Sequence, residues 1–143
     1  MDVIILETLG VEIFATQSLF YLIRKQQTRT KLISWHISVV HWKNDDGYWM
    51  YRTFVHVFEQ STQSSTTVTA ILKHVLQEIH EEMPEFDGVF IRSDNARCYK
   101  SSTTIASIPT ISSATGIKIL RWSFSEAQAG KGPCDQKFAK MKK

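Results

Sequence analysis

The sequence predicts an α/β protein built on one mixed sheet with helices on both faces. Three observations carry this. Ile33, Trp35, Ile37 and Val39 alternate with Ser34, His36 and Ser38, the period of a half-buried strand. Val68, Ile71, Leu72, Val75, Leu76 and Ile79 recur at steps of three and four, the period of an amphipathic helix. Beyond that helix, short apolar runs alternate with helix-like segments. A hairpin leading into strand–helix units implies antiparallel strands continued by parallel ones.

Taken in order, Val3 to Leu6 and Val11 to Ala15 are apolar and separated by Gly10. They read as two strands or as one bent strand. Residues 17–27 carry Leu19, Tyr21 and Leu22 among polar neighbours and read as helical. The strand from Ile33 ends at "KNDDG" (43–47), where Asp46-Gly47 suits a hairpin. Tyr48 to Glu59 follows, with large apolar side chains on both faces, a pattern that asks for cover on both sides. The polar run at 60–67 offers several N-caps for the amphipathic helix, and Pro84 stops it. By its spacing that helix runs about four turns. "VFIRSDN" (89–95) is a short buried strand, residues 96–116 hold a weak helix ending near Gly116, and "IKILRWSF" (117–124) is a further strand. "DQKFAKMKK" (135–143) has the composition of a last helix starting near Asp135.

Composition bounds the function classes. The 143 residues suit one domain with a real core, and 43% hydrophobic with 22% charged residues fits a globular chain. Two cysteines, Cys98 and Cys134, do not make a secreted disulfide framework. The apolar start carries Asp2, Glu7 and Glu12, so it reads neither as a signal peptide nor as a membrane span. The expectation is an intracellular protein in a reducing compartment, with no membrane partner. A net charge of +3 does not by itself argue for nucleic acid. Five lysines (Lys131, Lys137, Lys140, Lys142 and Lys143) crowd the last thirteen residues, where they either track a phosphate backbone or form a solvated tail.

The candidate chemistry is acidic. Asp94 ends the strand after the long helix, Glu126 follows the last strand, and Asp135 opens the final helix. Open α/β sheets place ligands at the carboxyl ends of their strands. Carboxylates gathered there hold hard cations such as Mg²⁺, and a pair of ions clamps the attacking and leaving oxygens of a phosphodiester displacement. The plainer alternatives are a strand-to-loop boundary at Asp94, a dipole-favoured helix start at Asp135 and a solvated Glu126. His36, His56, His74 and His80 lack zinc-finger spacing, and the first two read as strand residues with satisfied hydrogen bonds. Cys98 and Cys134 read as small packing residues near the acids. "GKG" (130–132) lacks the rest of a P-loop.

"SWHISVV", "FVHVFEQSTQSSTTVTAILKHVL", "RSDNARCY" and "TGIKILRWSFSEAQAGKGPCDQKFAKMK" together resemble a group of transposon-derived proteins of animal genomes. That group carries an RNase H-like, DDE-type transposase/integrase core. The resemblance spans roughly residues 34–142 and divides the chain into a divergent segment, 1–33, and a core, 34–143. It implies an antiparallel three-strand meander before the helix and two strand–helix units after it. It also implies catalytic roles for Asp94 and Asp135, with Glu126 as rival to Asp135, bound Mg²⁺ or Mn²⁺, a DNA partner and a nuclear location. The departure lies at the front. The first acid of such cores sits in a motif like Met-Asp-Trp-Ala-Met-Lys on the first strand, which has no match here. Glu7 or Asp2 are the substitutes available. Either the segment before residue 34 supplies a replacement first strand, or the chain is a truncated remnant. A second departure is Arg97, where the family pattern has Gly.

Overall fold

The computed structural model describes residues 3–14, 32–59, 64–125 and 140. Seven elements follow one another: β1 (Val3–Phe14), β2 (Leu32–Lys43), β3 (Trp49–Glu59), α1 (Ser65–Glu82), β4 (Gly88–Asp94), α2 (Ser102–Thr115) and β5 (Lys118–Ser125). The strands form one sheet in the order β3-β2-β1-β4-β5. β1 is antiparallel to β2 and parallel to β4, β2 is antiparallel to β3, and β4 is parallel to β5. This is the mixed sheet the sequence predicts.

The front of the chain contributes the strand β1. It runs through Gly10 without a break, pairing Gly10 with His36, and occupies the centre of the sheet. Its backbone pairs with β2 from Ile5 to Phe14 and with β4 from Val3 to Thr8, so it joins the two strands on either side. Glu7 lies level with Val39 of β2 and Arg92 of β4. The helix expected over residues 17–27 and the one starting near Asp135 fall outside the described residues, as do Asp2, Cys134 and the glycine-rich loop at 130–132.

The hairpin forms where Asn44 and Gly47 dictate. The Asn44 carbonyl accepts from the Gly47 amide at 2.9 Å, its side-chain oxygen accepts from the Tyr48 amide at 2.8 Å, and Gly47 takes φ +82°. Helix α1 starts at an N-cap, Ser64, whose side chain accepts from the Thr67 amide. Its 18 residues make it about a turn longer than the apolar spacing implied. Pro109 inside α2 removes one helical donor, and Gly116 closes that helix in the left-handed region at φ +75°.

The main core joins Ile71, Leu72, Val75, Leu76 and Ile79 of α1 and Ile111 of α2 to Val40, Val89 and Ile91 of the sheet. Ile37 and Val39 alternate with Ser38 and Val40, yet all four are fully buried, so both faces of β2 are covered. The expectation of two-sided cover fails at β3. Phe54 and Phe58 pack on the core, while Tyr51, Val55 and Val57 are 51%, 40% and 54% exposed. β3 ends the sheet, and its alternate side chains turn away from α1. No helix among the described residues is long and apolar enough to cross a membrane.

Candidate functional site

The carboxyl end of β4 gathers the described chemistry. Gly88 to Asp94 place alternate residues on opposite faces, with Val89, Ile91 and Ser93 buried. Asp94 ends the strand level with Ser125 of β5. One oxygen of its carboxylate, Oδ1, accepts the Ala96 amide at 2.8 Å. That bond turns the chain out of the strand, so part of the plainer alternative for Asp94 holds: it is a turn former. Arg97 is exposed just beyond it.

The turn folds back so that Cys98 and Tyr99 are buried against Val68 of α1, with Ala96 and Trp122 packed beside them. The Tyr99 amide donates to the Ala96 carbonyl at 3.1 Å, and Thr104 Oγ1 donates to the Cys98 carbonyl at 2.6 Å. Tyr99 Oη and His36 Nε2 share a hydrogen bond at 2.9 Å. Trp122 Nε1 donates to Ser93 Oγ at 2.9 Å, and that hydroxyl donates to the Asp94 carbonyl. Ser65 Oγ and Ser101 Oγ lie 2.7 Å apart and tie the starts of α1 and α2 together. The Asp94 turn is therefore held by four elements, β2, α1, α2 and β5.

Burial governs the titratable groups here. Desolvation, with the nearby His56 as a smaller cause, lowers His36 to about 4. Desolvation first, and the Asp94 charge second, push the Cys98 thiol up. Cys98 is thus a buried packing thiol rather than a nucleophile. His36 has the hydrogen-bond partner expected of it. His56 departs from the expectation: its Nε2 meets His74 Nδ1 at 3.1 Å, but its Nδ1 is buried with no hydrogen-bond partner.

Two expected outcomes test this packing. Tyr99→Phe leaves His36 Nε2 without that hydrogen bond and costs about 1–3 kcal/mol in urea unfolding; an unchanged midpoint would remove the bond from the native state. The second concerns pH. The folded protein holds His36 near 4, whereas an unfolded histidine titrates near its ordinary value of 6.5. Stability is complete above that unfolded value. It falls as pH drops from there toward 4, because the unfolded chain takes up the proton first. The loss reaches about 3 kcal/mol and then levels off. Burial also lowers His41 and His56, the latter with His74 as a further cause, which adds to the same slope. Urea midpoints measured from pH 7 to pH 4 read it directly, and a flat profile would show His36 to be solvated.

Of the predicted acids, the structure places Asp94 at the end of β4; Asp135 and Glu126 lie outside the described residues. Among the described residues no three His, Cys, Asp or Glu side chains converge as a metal group would need. Of the three candidate ligands for Mg²⁺ or Mn²⁺, Asp94 is the one among the described residues, and one of its two oxygens is engaged by the Ala96 amide. Sequence reasoning missed the Tyr99–His36 bond, whose partners stand 63 positions apart. It also missed the Trp122–Ser93 bond. The register would have found the latter, since Ile91 is level with Trp122 and Ser93 is the next residue of β4 on that face.

A search of the curated proteins finds no match. Among solved structures, the chain is similar to the catalytic domain of Mos1 mariner transposase, with a TM-score of 0.50 and 15% identity, over 96% of this chain and 58% of that one. The chain thus spans little more than half the length of that structure. A Mos1 transposase paired-end complex with left transposon end matches at TM-score 0.41 and 16% identity, over 81% of this chain and 34% of that one. At such identity the likeness is one of fold, and the fold is RNase H-like, of the transposase catalytic-domain type. Residues 16–143 match a family model described as "Domain of unknown function (DUF8701)", and the chain belongs to that family.

Proposed function

We propose that the chain is a transposase-derived RNase H-like domain that binds DNA and whose ancestral phosphodiester chemistry is impaired. The observation that carries this is Asp94 at the carboxyl end of β4, beside a central β1, in a sheet ordered β3-β2-β1-β4-β5. That is where the resemblance puts the second catalytic acid. Asp135, with Glu126 as rival, is the proposed companion, and Asp94 and Asp135 are the proposed Mg²⁺ or Mn²⁺ ligands. Impairment is inferred from β1. Val3–Phe14 contains no aspartate, and its acids are Glu7 and Glu12. Glutamate carries its carboxylate one methylene further from the backbone, so it does not stand in for aspartate without moving the ion. Exposed Arg92 and Arg97 flank Asp94 in the chain, and exposed Arg121 of β5 lies level with Phe90 further down β4; these cations suit a phosphate backbone. A nuclear location and the division at residue 33 belong to the same proposal.

The test is direct. The purified chain is expected to bind duplex DNA with an affinity that falls roughly ten- to hundredfold between 50 and 200 mM salt, as a few phosphate contacts would require. With Mg²⁺ or Mn²⁺ it is expected to leave labelled DNA uncut. Metal-dependent cleavage that Asp94→Asn abolishes would restore the active-nuclease reading. DNA affinity that is absent or indifferent to salt would favour an α/β interaction domain whose acids are structural.

A further inference from the structure

Away from the β4 end, two imidazoles meet across the interface between β3 and α1. His56 Nε2 of β3 and His74 Nδ1 of α1 lie 3.1 Å apart, with ring planes at 88°. The other nitrogen of His74, Nε2, stands 3.7 Å from Glu78 Oε1 one turn along the helix. The third nearby ring, His36, is engaged: its Nε2 bonds Tyr99 Oη, and its Nδ1 faces Ser38 Oγ at 3.5 Å.

Two nitrogens bound to one ion at about 2.0–2.1 Å stand about 2.8–3.4 Å apart for angles between a right angle and tetrahedral. The His56–His74 separation lies within that span. Glu78 stands behind His74 at 3.7 Å, within reach of a small side-chain adjustment to the position of the carboxylate that commonly steers a metal-bound histidine. The His74 side chain is 55% exposed, so the remaining coordination positions open to water. Imidazole pairs favour nickel, copper and zinc ions, whereas magnesium and calcium take oxygen ligands.

We propose that His56 and His74 form a two-point site for an imidazole-seeking divalent transition-metal ion, which clips α1 to the edge strand β3. Water completes the coordination, since the described residues offer no third ligand. The site is separate from the acids at the end of β4 and stands whether or not those acids act on DNA.

Nickel chloride is the probe, titrated into the full chain and followed by thermal unfolding and by calorimetry. At about ten times the dissociation constant the melting temperature rises by about 3–6 °C, and the calorimeter counts one ion per chain. His74→Gln, read against its own metal-free melt because it also loses the bond to His56, shows no nickel-dependent rise. His80→Gln, exposed on the same helix, keeps it. His56→Gln also loses the rise, provided that it folds. Absence of any rise in the parent chain would overturn the site, and so would a rise that survives His74→Gln.

Discussion

Leu6→Pro is expected to leave the protein largely unfolded at room temperature. Leu6 sits in β1, level with Val40 on one side and Ile91 on the other. Proline there deletes an amide that belongs to a ladder and forces a ring into a strand with neighbours on both sides. The cost is about 3 kcal/mol or more, against a total of about 5–15 kcal/mol for a domain of this size. Loss of the cooperative melt in circular dichroism would record it. A variant that melts with the parent would mean that Val3–Phe14 does not run through the middle of the sheet, and the assignment of Asp94 to a central sheet end would fall with it.

Leu76→Ala is the second large effect. Leu76 is fully buried on α1, in the cluster that joins both helices to Val40, Val89 and Ile91. Removing three carbons there costs about 2–5 kcal/mol, through lost transfer energy and the cavity left behind. The urea midpoint should drop by roughly 1–2 M with little change in slope. Gln77→Ala, one residue on and exposed, should stay within about 0.5 kcal/mol of the parent. Equal effects at the two positions would mean that α1 does not present the Leu76 face to the sheet.

What the sequence disclosed follows the range of the interaction involved. Helix α1 was legible because its six buried apolar positions recur at helical spacing, a local pattern. The β2–β3 hairpin was legible because Asp46-Gly47 supplies its own turn. β1 was not decided. Gly10, Glu7 and Glu12 break its apolar run, and only pairing with two distant strands makes it one element. The aromatic residues of β3 suggested a covered strand, and nothing local states that a strand will lie at the edge. At the site, Asp94 was legible as the end of a strand, and the structure adds that it also turns the chain. The two-sided anchoring of that turn by His36 and Trp122 was not, since its partners come from strands far along the chain.

The central position of β1 also shapes how the molecule is built. Val3 is level with Gly88, so the first strand in chain order gains its second neighbour only after β2, β3 and α1 have been laid down. Closing such a long loop is entropically expensive before any contact rewards it, so a sheet with this non-local pairing forms more slowly than a helical bundle of the same size. In the meantime β1 presents a bare, largely apolar edge. Self-association during refolding should therefore be worst for chains in which β4 is slow to dock, and a synthetic β4 peptide added in trans should compete for that edge.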